Sequence, residues 1–385
     1  LAMDLGYNSL SVSVPSGIST AGYKASWQDR GWKMSLETLH HRAALQCPEI
    51  EGSSYGRNVE QEIQGAQEST LFASYGFEPW PGLLLSLSAS GIHYFDPEHK
   101  SHWAVSPAVD MTMNLYQAGK LDLKMGSGTQ FLFQTGVTNL GFPCEFWFLA
   151  GKHSDPQSSL YATLSYGLEF ARGMFSFKAE TYYRQLYNQI EYKGDVLDFI
   201  NSEYSLDASL LKGGGRNFGF NLLLHKQAGR LTAWAGYSFG RALRSFDVPG
   251  YAGEYPSNHE RLHELNAVLN WTAPKWSAGA SMVAASGTPF TAPDSFYILG
   301  GRVVSHYGPH NADRLSAYMR LDLSFNYYFT RTSSRSCGMN ISVYNTTMRE
   351  NQLFCRLSAK DGRFAYRPFA LGFSVLPSIG FFCRI

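Results

Sequence analysis

An all-β, up-and-down antiparallel β-barrel that crosses a membrane is the architecture expected of this 385-residue sequence, and three features carry that expectation. Composition is the first: charged residues make up only 16%, aromatics reach 15%, and there are 37 glycines, a mixture that suits strands joined by tight turns. The second is long period-2 alternation, with an apolar side chain at every other position. The third is a regular exchange of short and long connections.

Bulk properties narrow the alternatives. No run of about 18 apolar residues occurs, so no membrane-spanning helix is expected. A barrel strand needs only about 9–11 residues with alternate ones apolar, and its hydropathy averages out. Lys plus Arg number 32 against 31 Asp plus Glu, so no overall field marks a nucleic-acid binder. The opening LAMDLGYNSL carries no leader pattern, so no signal peptide is expected in it. Cys47, Cys144, Cys337, Cys355 and Cys383 show no CxxC or His-paired spacing, so neither zinc nor a disulfide framework is expected.

In chain order, alternation marks residues 32–36, 105–115, 121–125 and 231–239. It is cleanest over 315–329, where Leu315, Ala317, Met319, Leu321, Leu323, Phe325, Tyr327 and Phe329 share one face. Over 371–385 the apolar row is Leu371, Phe373, Val375, Pro377, Ile379, Phe381, Cys383 and Ile385. Sandwich strands average about 5–6 residues, so rows this long imply lipid against one face. Roughly sixteen such segments are expected along the chain.

Short connections are expected at 29–31, 79–82, 119–120, 172–173, 228–229, 274–275 and 331–333. Long ones fall at 47–67, 96–102, 137–157, 193–214, 247–260, 291–312 and 349–367, with a first, short member near Pro15-Ser16-Gly17 after a first strand at 5–14. The two kinds take turns, as periplasmic turns and outer loops do in such barrels. Trp27, Trp32, Trp80, Trp271 and Trp276 flank the short turns, where an interfacial girdle belongs. One domain, 1–385, is expected.

Three groups of strings carry a family resemblance. They are residues 314–324 (RLSAYMRLDLS), Ile341-Ser342-Val343-Tyr344-Asn345 to Asn351, and residues 376–381 (LPSIGF). Upstream stand Tyr255-Pro256 to His263, Ser286-Gly287-Thr288-Pro289-Phe290-Thr291 and Tyr187-Asn188-Gln189-Ile190. In order and spacing these resemble the terminal barrel strands of TonB-dependent outer-membrane transporters, particularly the Bacteroidetes-type. The resemblance implies the C-terminal part of a 22-stranded barrel, with the plug domain and first strands absent from this chain. It also implies the outer membrane of a Gram-negative bacterium, outer-membrane lipid around the barrel, and an inner-membrane TonB energy complex as partner. A scarce, bulky nutrient would be the ligand: an iron chelate, cobalamin, haem or a glycan. Departures stand at the end, with Ile385 in place of an aromatic residue and Cys383 in place of a more typical apolar one.

Candidate site residues follow from position. Aromatic outer loops supply Phe142, Phe146, Trp147, Phe148, Phe296, Tyr297 and His306 as ligand contacts, because apolar walls with few polar groups suit bulky ligands. Asp110, Asn114, Arg320 and Asp322 fall on the inward face and are expected to line the lumen. His306 and His310 are four apart, but off a helix that spacing shares no face, so no metal site is expected. Glu60 and Glu62 lie in a polar loop without a pocket, and GxSxG, HExxH and P-loop strings are absent, so neither an enzyme nor a cofactor is expected. A passive porin of about sixteen strands is the alternative, against which stands the lack of clustered acids facing arginines in a constriction loop.

Overall fold

The computed structural model describes residues 12–13, 16–45, 49–50, 62–137, 144–151, 154–192, 210–246, 253–299, 302–332, 334–360, 363–370 and 374–384. Nearly all of them are antiparallel strand. The main sheet begins with β1 (Ser16–Asp29), β2 (Trp32–Leu45), β3 (Glu62–Trp80), β4 (Leu83–Phe95) and β5 (Ser101–Asn114). It continues through β6 (Lys120–Gln130), β7 (Gln157–Phe170), β8 (Phe175–Tyr192), β9 (Leu210–Lys226) and β10 (Leu231–Phe246). It ends with β11 (His263–Thr272), β12 (Trp276–Ala285), β13 (Tyr318–Arg331), β14 (Ser336–Tyr344) and β15 (Leu376–Arg384). Tyr255–Pro256 pairs beside β10 as the sixteenth strand of the sheet.

Every long strand bonds only to its chain neighbours, which is the up-and-down order of a membrane barrel. β3 runs 19 residues, well beyond the roughly 9–11 with which a barrel strand crosses an apolar layer. Among the described residues no ladder joins β1 to β15, and the sheet is open at both.

The seven short turns sit where composition and alternation place them. Gly119 shows why glycine is needed in one: its φ is +101°, and a Cβ there would lie 2.3 Å from the Gly167 carbonyl oxygen. One face of the sheet is apolar and open, presenting Leu36, Leu71, Val105, Leu160, Leu269, Leu323, Phe325 and Ile341. Trp27, Trp32, Trp80, Trp271 and Trp276 lie exposed at its lower margin, Trp32 packed on Tyr75 at 4.8 Å and Trp276 on Phe325 at 5.9 Å.

The long connections hold structure that alternation did not announce. Hairpins rise from three of them: Leu132–Val137 with Cys144–Leu149, Pro293–Leu299 with Arg302–Tyr307, and Gln352–Lys360 with Arg363–Ala370. Val12–Ser13 pairs with Glu49–Ile50 instead of forming a main-sheet strand, and the rest of the 5–14 segment lies outside the described residues. Ser16 and Gly17, expected in an outer turn, open β1.

Two expectations are corrected by register. Leu315 does not belong to the lipid face: β13 starts at Tyr318, the Leu315 amide bonds Thr288 O at 3.0 Å, and Leu315 is buried with Phe290 and Cys355. The second concerns the cysteines. Cys337 and Cys383 stand directly opposite on β14 and β15 and form a disulfide, a pairing set by strand register across 46 residues and therefore invisible in sequence spacing. Leu371, Phe373 and Ile385, assigned to the last strand's apolar row, lie outside the described residues.

Candidate functional site

Because side chains alternate along a strand, the face opposite the apolar belt collects the polar groups. On it Lys24 pairs with Glu37 at 3.4 Å, Thr112 with Asp122 at 2.6 Å, and Lys178 with Glu180 at 3.0 Å. Asp110 lies in this row opposite Lys124 and is half-buried. Asn114 is exposed at the lower end, its amide donating to Gly82 O at 2.7 Å.

Arg320 and Asp322 come together on β13. The Arg320 Nε donates to Asp322 Oδ2 at 3.0 Å, its Nη1 reaches the Tyr318 and Tyr344 hydroxyls at 3.3 and 3.2 Å, and the guanidinium stacks 4.7 Å over the Tyr344 ring. Asp322 Oδ1 also accepts the Asn345 amide at 2.9 Å. Pairing and stacking hold this charge against the wall.

Higher on the same face, consecutive strands build a polar cavity of about 410 Å³. Cross-strand register sets Tyr161 of β7 opposite Arg184 of β8, and Arg184 opposite Asn217 of β9. Arg184 is exposed, its guanidinium 5.8 Å above the Tyr161 ring, and Arg244 of β10 donates to Asn217 Oδ1 at 2.9 Å. Gln130, Gln157 and Gln189 complete much of the wall, and no carboxylate among the described residues lines it. Two guanidinium groups and several amides facing one open space offer many donors to an oxygen-rich anion. Sequence reasoning missed this cavity, although the alternation around Arg184 and Asn217 was available to place both inward.

Two hairpins of the long connections carry the aromatic candidates. The hairpin carrying Trp147 and Phe148 packs across β1, β2 and β3, and the Leu149 amide donates to Gln64 Oε1 at 2.9 Å. Phe148 is covered, edge-on to Phe133 at 5.4 Å in a cluster with Tyr94 and Tyr192, so it holds the hairpin down; Trp147 is half-buried. Phe142 lies outside the described residues, and Phe146 is described only by its place opposite Thr135.

Phe296, Tyr297 and His306 occupy a separate hairpin between β12 and β13. Tyr297 is exposed, and Phe296 and His306 are fixed only by register, opposite Ser305 and Ser295. The two aromatic loops therefore stand on different parts of the wall.

Beneath the second loop lies a buried polar network that sequence reasoning also missed. Glu191 at the end of β8 pairs with His310 Nε2 at 2.6 Å and accepts the Tyr255 hydroxyl at 2.7 Å. Thr291 Oγ1 is 3.3 Å from His310 Nδ1 and accepts the Asn311 amide at 3.1 Å, while Asn311 Nδ2 donates to Pro256 O and Asn258 Oδ1. Tyr255 and Thr291 sit in strings noted only for resemblance, and nothing local signals that residues 119 positions apart meet. Among the described residues, no group of three or more His, Cys, Asp or Glu is arranged to hold a metal ion.

The loop between β4 and β5 is fastened by one carboxylate. Burial raises the Asp96 pKa, but the His102 ring and the Lys100 and Glu98 amides, all at 2.8 Å, outweigh it and hold the group below the ordinary carboxylate value. A depressed folded-state pKa stabilises above the unfolded value and is lost as pH falls through the folded one. The protection of the amides in residues 96–100, measured relative to the intrinsic exchange rate at each pH, is therefore expected to be high at pH 6 and to fall below about pH 4. Protection unchanged at pH 2 would show that Asp96 does not fasten the loop.

Neither a protein-family model nor a curated protein matches the sequence. Solved structures do. The FrpB iron transporter from Neisseria meningitidis aligns over 95% of this chain and 54% of its own, with TM-score 0.57 and 10% identity. The ferric enterobactin receptor PfeA from Pseudomonas aeruginosa aligns over 88% and 50%, with TM-score 0.54 and 15% identity. The siderophore receptor PirA from Acinetobacter baumannii aligns over 87% and 51%, with TM-score 0.55 and 10% identity. The chain thus spans about half the length of each of these structures. At such identities the likeness speaks for architecture, and the conclusion is that this chain folds as the β-barrel wall found in iron and siderophore receptors.

Proposed function

We propose that the chain is barrel sequence of a TonB-dependent receptor in a Gram-negative outer membrane, importing an iron chelate in preference to cobalamin, haem or a glycan. The polar cavity at Arg184, Asn217 and Arg244 carries this reading, since guanidinium groups without a lining carboxylate suit the negatively charged oxygens of such a ligand. The similar structures, an iron transporter and two siderophore receptors, agree with an iron chelate. Among the described residues the outer edges of β1 and β15 have no partner strand, which supports a larger, 22-stranded barrel closed by further strands; the family reading adds a plug inside it and the inner-membrane TonB complex as energy source. Trp147, Tyr297 and the neighbouring Phe142, Phe146, Phe296 and His306 would make first contact with the ligand.

Arg184→Gln in the full-length parent is expected to weaken binding of the ferric chelate about tenfold or more, the usual scale for one charge-assisted hydrogen bond. Folding should be untouched, because Arg184 is exposed and its one described partner is the Tyr161 ring. Equilibrium titration with the ferric chelate, beside uptake with and without a working TonB complex, tests the reading. Unaltered affinity would remove the cavity from the ligand path, and uptake that continues without the energy complex would make the chain a passive porin.

A further inference from the structure

Positive charge gathers along the lower rim of β7 to β15. Arg172, Lys226, Arg230, Lys275, Arg331 and Arg335 lie in or beside its short turns, and the one acid among the described residues there is Glu169. Between these cations and the apolar belt the outer surface dips into a groove of about 340 Å³. Its floor is made by Ala233 and Ala235 of β10, Ala267 of β11 and Ala280 of β12; Leu224, Leu269 and Met282 wall it, and Phe175 and Lys226 close its lower end.

Register explains the dip. Ala235 stands between Leu224 and Ala267, and Ala280 lies opposite Leu269, so methyl groups fall side by side where other strands project Leu323, Phe325 and Ile341. Lys226 is fixed at the foot: its Nζ donates to Ala228 O and Leu231 O at 2.5 and 2.8 Å and lies 5.7 Å from the Phe175 ring centre. An ammonium has three N–H donors, and no described carboxylate lies within ion-pair distance of this one, so the protein orients its charge without neutralising it.

We propose that this groove holds one anionic phospholipid of the periplasmic leaflet, with an acyl chain along the alanine floor and the phosphate on Lys226, Arg230 in the adjoining turn adding to the positive charge. The proposal rests on the barrel lying in the outer membrane with its short turns toward the periplasm. Charge selects the occupant: a neutral lipid fills the apolar trough equally well but gains nothing from the cations.

The test is native mass spectrometry of the full-length parent in detergent with equimolar phosphatidylglycerol and phosphatidylcholine of identical acyl chains. One phosphatidylglycerol is expected to be retained with about tenfold preference. The doubly substituted K226Q/R230Q chain should lose the preference, and A235L or A280L should lower retention of both lipids. Excess inorganic phosphate should not displace the lipid; displacement would mean that a free anion alone is recognised. Equal retention of the two lipids by the unsubstituted chain, or unchanged retention by both sets of variants, overturns the proposal. Heat-modifiable migration of the full-length parent is read in parallel: a parent that lacks it defeats the barrel reading and this inference together, whereas a heat-modifiable barrel without lipid preference defeats this inference alone.

Discussion

Leu323→Arg is expected to cost roughly 2–4 kcal/mol of folding free energy in lipid, and Ser324→Arg, one residue further on, only a fraction of that. The two positions share a strand and differ in face. Leu323 projects 43% exposed from the apolar belt beside Phe325 and Ile341, so a guanidinium there must enter hydrocarbon or drag water with it. Ser324 lies opposite Gly279 and Ser342 on the polar face, where an added charge meets water. Reversible urea unfolding from lipid vesicles measures both costs. Equal values would mean that the faces are wrongly assigned.

Glu191→Leu is expected to unfasten the mouth at a cost of about 3 kcal/mol, because two buried donors, the Tyr255 hydroxyl and the His310 ring, lose their acceptor together. Removing one member of such a network is worse than never building it, since the partners left behind stay dehydrated. Amide exchange should rise in residues 253–262 and 302–317 while β7 to β9 remain protected. Glu191→Gln keeps an acceptor oxygen and should lose clearly less. Exchange in Glu191→Leu equal to that of the parent would show that apolar packing, not this carboxylate, holds the loops.

These expectations draw on different kinds of information. The faces of β13 could be read directly from the chain, because a two-residue period converts order into orientation at every step, and Gly-rich or Pro-containing turns such as Gly119-Lys120 and Pro274-Lys275 mark where direction reverses. Leu315 was misassigned because alternation continues past the point where the backbone leaves the sheet; only the bond to Thr288 reveals the departure. The disulfide and the Glu191 network were illegible for a related reason. Both depend on which strands become neighbours and at what offset, and Cys337, Cys383, Glu191 and His310 carry no local trace of that pairing. The placement of Asp110, Arg320 and Asp322 on the face opposite the apolar belt follows from parity alone, whereas the cavity around Arg184 needs five strands in register before its shape exists.

The hairpin that crosses from β6 to lie over β1, β2 and β3 also bears on the order of assembly. Its bond from Leu149 to Gln64 joins groups 85 residues apart, while each main-sheet pairing joins strands adjacent in the chain. Closing so wide a loop before the intervening strands are placed is entropically unfavourable, and it becomes cheap once the β3 to β6 meander has brought the ends near. Docking of this hairpin is therefore a late event. The half-buried Trp147 should report it as a slow fluorescence phase that follows the appearance of sheet during refolding, and the parts of β1, β2 and β3 beneath the hairpin stay uncovered until it is complete.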